Sequence, residues 1–170
     1  MKNPMKKLIY KSLIKLYLII VNSRRAIHLP TSTRSEYDCS MDEFSAKINK
    51  LEYKQDQLGG LIDTIGHPDR FFDESITYNR DCDNWARIWS LWFKFKNYYS
   101  CEYVCANPTN LKTLFKSLHV VTVGRVDEDW YLLNYHNYGP FRSRENALEY
   151  LTRFPSYSDD VIVVKSLEVK

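Results

Sequence analysis

The chain has 170 residues, enough for one domain with a proper core and too few for two. Apolar residues make up 44 % and aromatics 15 %, with 5 glycines and 6 prolines, which excludes a disordered or collagen-like chain. The net charge is +3, but seven of the 24 basic residues lie in residues 1–25, which hold no acid; the rest carries 17 bases against 21 acids, or −4, which argues against nucleic acid as a partner.

Residues 1–25 alternate Lys2, Lys6, Lys7, Lys11 and Lys15 with Leu8, Leu13, Ile14, Leu16, Tyr17, Leu18, Ile19 and Ile20. The clean apolar run, Leu16 to Val21, is far short of the ~20 residues a spanning helix needs. Lysines in the centre and Asn22-Ser23-Arg24-Arg25 at its end make a poor secretory signal, favouring a cytoplasmic start. The segment is expected to be a helix. It either packs on the body with its lysines in water or makes peripheral contact with an anionic membrane. Residues 26–37, with Pro30, Ser, Thr and Arg, are expected to form a connector, and residues 38–170 the main domain.

Ser40-Met41-Asp42-Glu43 is a capping box, and Phe44, Ile48, Leu51 and Leu58 recur near helical period, predicting a helix that ends at Gly59-Gly60. Residues 66–80 are a connection. A second helix is predicted from Cys82, with Asp81 as N-cap and Trp85, Ile88, Trp89, Trp92 and Phe93 as its apolar face. The tryptophans are expected in the core rather than in a stacking platform. Asn107-Pro108-Thr109-Asn110 reads as a turn. His119 to Val126 reads as a strand, Asp127-Glu128-Asp129 as a solvated turn and Trp130 to Leu133 as the return strand. Ser143 should cap a short helix with Ala147, Leu148, Leu151 and Phe154, and Val161 to Val164 should be the last strand. Helices first and strands later predict an α+β fold with a largely antiparallel sheet.

Cys39, Cys82, Cys101 and Cys105 form no dense disulfide pattern, and Cys101-x-x-x-Cys105 lacks the second pair of a structural zinc site. His28, His67 and His136 read as loop or surface residues. Cys82 and His119 are different. A cysteine in the first turn of a helix meets amide groups and a dipole that favour thiolate. A histidine at a strand start can serve as its base. The imidazole then needs a group that accepts from its other nitrogen. Asn134 meets it if the hairpin midpoint falls between Val126 and Asp127, and Asn137 meets it if the turn centres on Glu128; the sequence leaves both open.

Asp81-Cys82-Asp83-Asn84-Trp85-Ala86, His119-Val120-Val121-Thr122-Val123 and Trp130-Tyr131-Leu132-Leu133-Asn134 resemble the Cys, His and acid blocks of bacterial transglutaminase-like cysteine peptidases, in the papain-like/transglutaminase superfamily. The resemblance spans roughly residues 70–140. It implies a papain-like core with the nucleophile-bearing helix packed on an antiparallel sheet. It also implies a thiol protease, with Cys82 as nucleophile, His119 as base and acid, and Asn134 as orienting residue. An amide at 134 in place of the family's acid accepts the imidazole N–H but gives imidazolium less support. The oxyanion hole would use the Cys82 N–H and a donor from Tyr78 or Asn79. No cofactor is required. Some members bind calcium beside the nucleophile; Asp81 and Asn84 keep oxygen ligands with one charge fewer, so such a site would be weak. The expected partner is a protein or peptide whose amide or isopeptide bond is cleaved. The alternative is an inactive descendant acting as a binding or membrane-surface accessory protein through its basic helix.

Overall fold

The computed structural model describes residues 4–26, 35–52, 71–72, 81–108, 110–114, 117–154 and 161–169. Four helices, α1 (Pro4–Ala26), α2 (Met41–Ile48), α3 (Cys82–Phe95) and α4 (Arg144–Glu149), pack around five strands. These are β1 (Tyr99–Ala106), β2 (Leu118–Val126), β3 (Asp129–Leu133), β4 (Asn137–Phe141) and β5 (Ile162–Val169). The sheet order is β4-β3-β2-β1-β5, and every pair is antiparallel. The fold is α+β, as the helix-then-strand order implied.

The helix signals act as read at several ends. The Ser40 hydroxyl accepts from the Glu43 N–H (3.2 Å) while Glu43 accepts from the Ser40 N–H (2.8 Å). These bonds satisfy donors that a helix start leaves orphaned. Yet α2 stops at Ile48 instead of continuing to Gly59-Gly60. Phe44 and Ile48 are already buried, and Leu51 packs on the same cluster from beyond the helix end. Leu58 and the two glycines lie outside the described residues. Ser143 caps α4 by accepting from the Asn146 N–H (3.1 Å). Asp81 stands at the N-cap of α3 without a side-chain capping bond; its carboxylate instead accepts from the Asn84 amide (3.0 Å). At the far end Asn97 takes a left-handed conformation (φ 59°), which asparagine tolerates, and the Tyr98 N–H closes onto the Phe93 carbonyl (2.8 Å).

Helix α3 is central because two of its sides are covered. Trp85, Ile88, Trp89, Leu91, Trp92 and Phe93 join Tyr37, Phe44, Ile48 and Leu133 in one cluster, which makes the tryptophans core residues as expected. The indole N–H of Trp92 donates to the Cys39 carbonyl, and that of Trp89 to the Asn134 carbonyl, both at 3.2 Å. Toward the sheet, Ala86 and Ser90 meet Thr122, whose hydroxyl donates to the Ala86 carbonyl (2.7 Å). Phe93 lies flat against Gly124, where a Cβ would overlap the ring. Glycine is needed there for close approach.

The basic N-terminal helix is part of this body. Tyr10, Ile14 and Leu18 are buried with Val104, Ala106, Leu114, Ile162 and Val164. Residues 27–34 of the expected connector lie outside the described residues. Its end, Ser35–Tyr37, is a 3-10 turn that places Tyr37 in the core. On the opposite face of the sheet, α4 and the turn after it pack Ala147 and Leu151 against Cys101, Tyr103, Val121, Val123 and Leu132.

Strands β1 and β4 were not anticipated. As an inner strand of the sheet, β1 is buried on both faces, and its mix of Ser100, Glu102 and two cysteines blurs the alternation that marks a half-exposed strand. The β2–β3 hairpin pairs Val126 with Asp129 across a two-residue turn, with Asp127 left-handed (φ 53°). Neither expected register holds. The midpoint falls between Asp127 and Glu128, one residue beyond the register that would set Asn134 opposite His119.

Candidate functional site

Helix α3 and strand β2 run side by side in the same direction, and their contacts fix where Cys82 lies. Counting back four residues from Ala86 covers about 6 Å, and eleven from Phe93 about 16 Å. The same distances back along β2 from their partners Thr122 and Gly124 end at Val120 and His119, at about 3.3 Å per residue. The thiol is therefore level with the first residues of β2. It packs against the cluster that holds Leu118 and Val120.

His119 faces Cys105 across the β1–β2 pair. Burial holds its pKa below the ordinary 6.5, and the Asn134 amide beside the ring partly opposes this. The resting imidazole is accordingly neutral at pH 7. That differs from the imidazolium of a preformed ion pair. Asn134 follows the last residue of β3 and stands diagonally across from His119, opposite Val121 when the Thr122–Leu133 register is continued. Diagonal neighbours on one sheet face remain within reach of long side chains. The Asn134 Oδ1 is buried, and the Asn134 side chain meets the His119 ring as a hydrogen-bonding neighbour. The Trp89 indole fixes the Asn134 backbone.

Cys105 is a neighbour the sequence reading overlooked. Its thiol is pushed up to about 12, first by burial and then by the nearby Cys82. Cys82 and His119 thus share Cys105 at one end of the sheet. They come to it differently. Alternation along β2 gives Leu118, Val120 and Thr122 to the α3 side, and gives His119 to the side of Val121 and Val123. Tyr135 bridges the two, its ring 5.6 Å from that of Trp85 on α3 and 6.0 Å from that of His119. Its signal in the sequence was only its place beside Asn134.

The remaining candidates separate. Asn137 pairs with Leu133 in the β3–β4 ladder, so it is not the residue across from His119. Tyr78 and Asn79, the oxyanion-hole candidates beside the Cys82 N–H, lie outside the described residues, as do His28 and His67. His136 is exposed, and the Asp127-Glu128-Asp129 turn is exposed as expected. At the calcium candidate, Asn84 is buried with its amide nitrogen turned to Asp81. That donor takes the carboxylate oxygen a cation would use, and two residues fall well short of the six to eight oxygens of calcium. The described pair does not fit the ion. Cys101 and Cys105 lie four residues apart on one strand, about 13 Å along it, too far to bind one zinc ion together.

Arg87 on α3 and Glu102 on β1, which pairs with Thr122, are both almost fully buried. Buried charges are unusual in a small core, and nothing in the periodicity marked them.

No protein-family model matches the chain, no curated protein matches it, and no solved structure matches its fold.

Proposed function

We propose that the chain is a transglutaminase-like cysteine peptidase with a papain-like core, hydrolysing a peptide or isopeptide amide through an acyl-enzyme. The observation that carries this reading is the Asn134 side chain, its Oδ1 buried, hydrogen-bonding with the imidazole of His119 level with a cysteine in the first turn of α3. An amide oxygen at 134 can accept from one ring N–H of His119, and that bond fixes the tautomer whose other nitrogen is a base.

The chemistry starts from a neutral imidazole. His119 takes the Cys82 proton as the sulfur attacks the carbonyl carbon. The C–N bond breaks, and His119 returns the proton to the leaving amine. Water then cleaves the thioester and restores the thiol. The His119 ring at the strand start lies beside Tyr135, which packs against Trp85 of α3.

The test is site-resolved alkylation of all four cysteines against pH, in wild type and His119→Ala. A Cys82 that reacts far faster than the other thiols near neutral pH, and loses the advantage in His119→Ala, supports the reading. Ordinary thiol behaviour that ignores His119 overturns it and leaves the second reading, an inactive fold serving as a binding module.

A further inference from the structure

Helix α1 has two apolar sides, and among the described residues one of them is packed on the fold. Tyr10, Ile14 and Leu18 are buried against the sheet, with Leu13 and Tyr17 partly so. At 3.6 residues per turn, Met5, Leu8, Ile9, Leu16 and Ile19 gather in an arc of about 100° on the side opposite Ile14. All five are between 52 and 70 % exposed. Single exposed apolar residues are ordinary, but five aligned along about 21 Å of one helix form a stripe, broken at its middle by Ser12, whose hydroxyl donates back to the Leu8 carbonyl (3.1 Å). Lys11 and Lys15, both exposed, line one border and Lys6 the other. No acidic residue occurs in the first 25 positions.

We propose that α1 docks the protein onto an anionic membrane surface. The helix lies in the plane of the interface. Met5, Leu8, Ile9, Leu16 and Ile19 enter the acyl boundary, Lys6, Lys11 and Lys15 reach headgroup phosphates, and Tyr10, Ile14 and Leu18 stay on the body. The charge pattern selects this occupant. A narrow apolar stripe between cationic borders matches a lipid interface, where lysine stems lie along apolar surface and their ammonium groups meet phosphate. A second copy packed stripe to stripe would set the Lys11 and Lys15 borders against like charge with no acid on either helix to offset them. Crossing the membrane is a different matter: among the described residues no helix is long and apolar enough. The docking role holds whether or not Cys82 is reactive.

The full chain is tested by co-sedimentation with vesicles of phosphatidylcholine and phosphatidylserine, against phosphatidylcholine alone, over a salt series. Binding is expected only with phosphatidylserine and is expected to fall with salt. Lys11→Gln and Lys15→Gln are each expected to weaken it about fivefold. Leu8→Ser with Leu16→Ser should abolish it while circular dichroism and the unfolding midpoint stay unchanged, since both positions are exposed. A wild-type protein that stays in solution, or binding that survives the double serine variant, overturns the proposal. So does a dimer, seen by sedimentation equilibrium, that the double serine variant dissociates, which would assign the stripe to a second copy.

Discussion

Gly124→Ala tests the packing on which the level of Cys82 rests. Alanine's Cβ would fall on Cζ, Cε1 and Cε2 of Phe93, a ring that is fully buried and surrounded by Trp92 and other core residues. Forcing a methyl group into a filled core costs about 1–3 kcal/mol. The gain from replacing a strand glycine, about 0.5–1 kcal/mol, does not cover that. A net loss of about 1–2 kcal/mol follows, read as a lower urea midpoint with an unchanged slope. In a domain of this size that is a fall in Tm of about 2–8 °C. Phe93→Leu opens space at the same point, so the double variant should be less destabilised than the sum of the singles, with a coupling of about 1 kcal/mol or more. A neutral Gly124→Ala, or strict additivity in the double variant, would refute the close approach of α3 to β2. The register argument that sets Cys82 beside the start of β2 would go with it.

Thr122→Val keeps shape but removes the buried hydroxyl that donates to the Ala86 carbonyl. It should cost about 1 kcal/mol in a urea titration, and an unchanged or higher midpoint would mean the bond contributes nothing. His119→Gln should flatten the acid side of the stability profile. The folded pKa of His119 lies below the unfolded value of 6.5, so as pH falls through 6.5 the unfolded chain takes up the proton first. Stability is then lost down to the folded pKa. Cys105, Asn134 and Tyr135, the groups about the ring, bring no charge that reverses this sign. Parallel wild-type and variant curves between pH 7 and pH 5, measured by thermal melts, would contradict it.

Local chemistry was enough to place much of the chain. The Ser40 and Ser143 caps, the tryptophan side of α3, the turn at Asp127 and the apolar β2, β3 and β5 strands depend on neighbours a few residues away, and all were readable. The order of elements was enough for an α+β, antiparallel fold. Other features needed partners distant in sequence. Strand β1 is recognisable only once β2 and β5 cover its edges. Helix α2 ends at Ile48, with Phe44 and Ile48 already buried, well before the later glycines. The hairpin register, one residue from the expected one, decides that Asn134 meets His119 diagonally and that Asn137 belongs to β4. The nearness of Cys105 to Cys82, and the face of β2 that carries His119, follow from sheet pairing and pleat. Lysines every few residues made α1 look like one basic amphipathic helix. Only its docking on the sheet divides its apolar residues into a buried row and an outward one, because burial is a property of what lies opposite a side chain, and the sequence names the side chain without its neighbour.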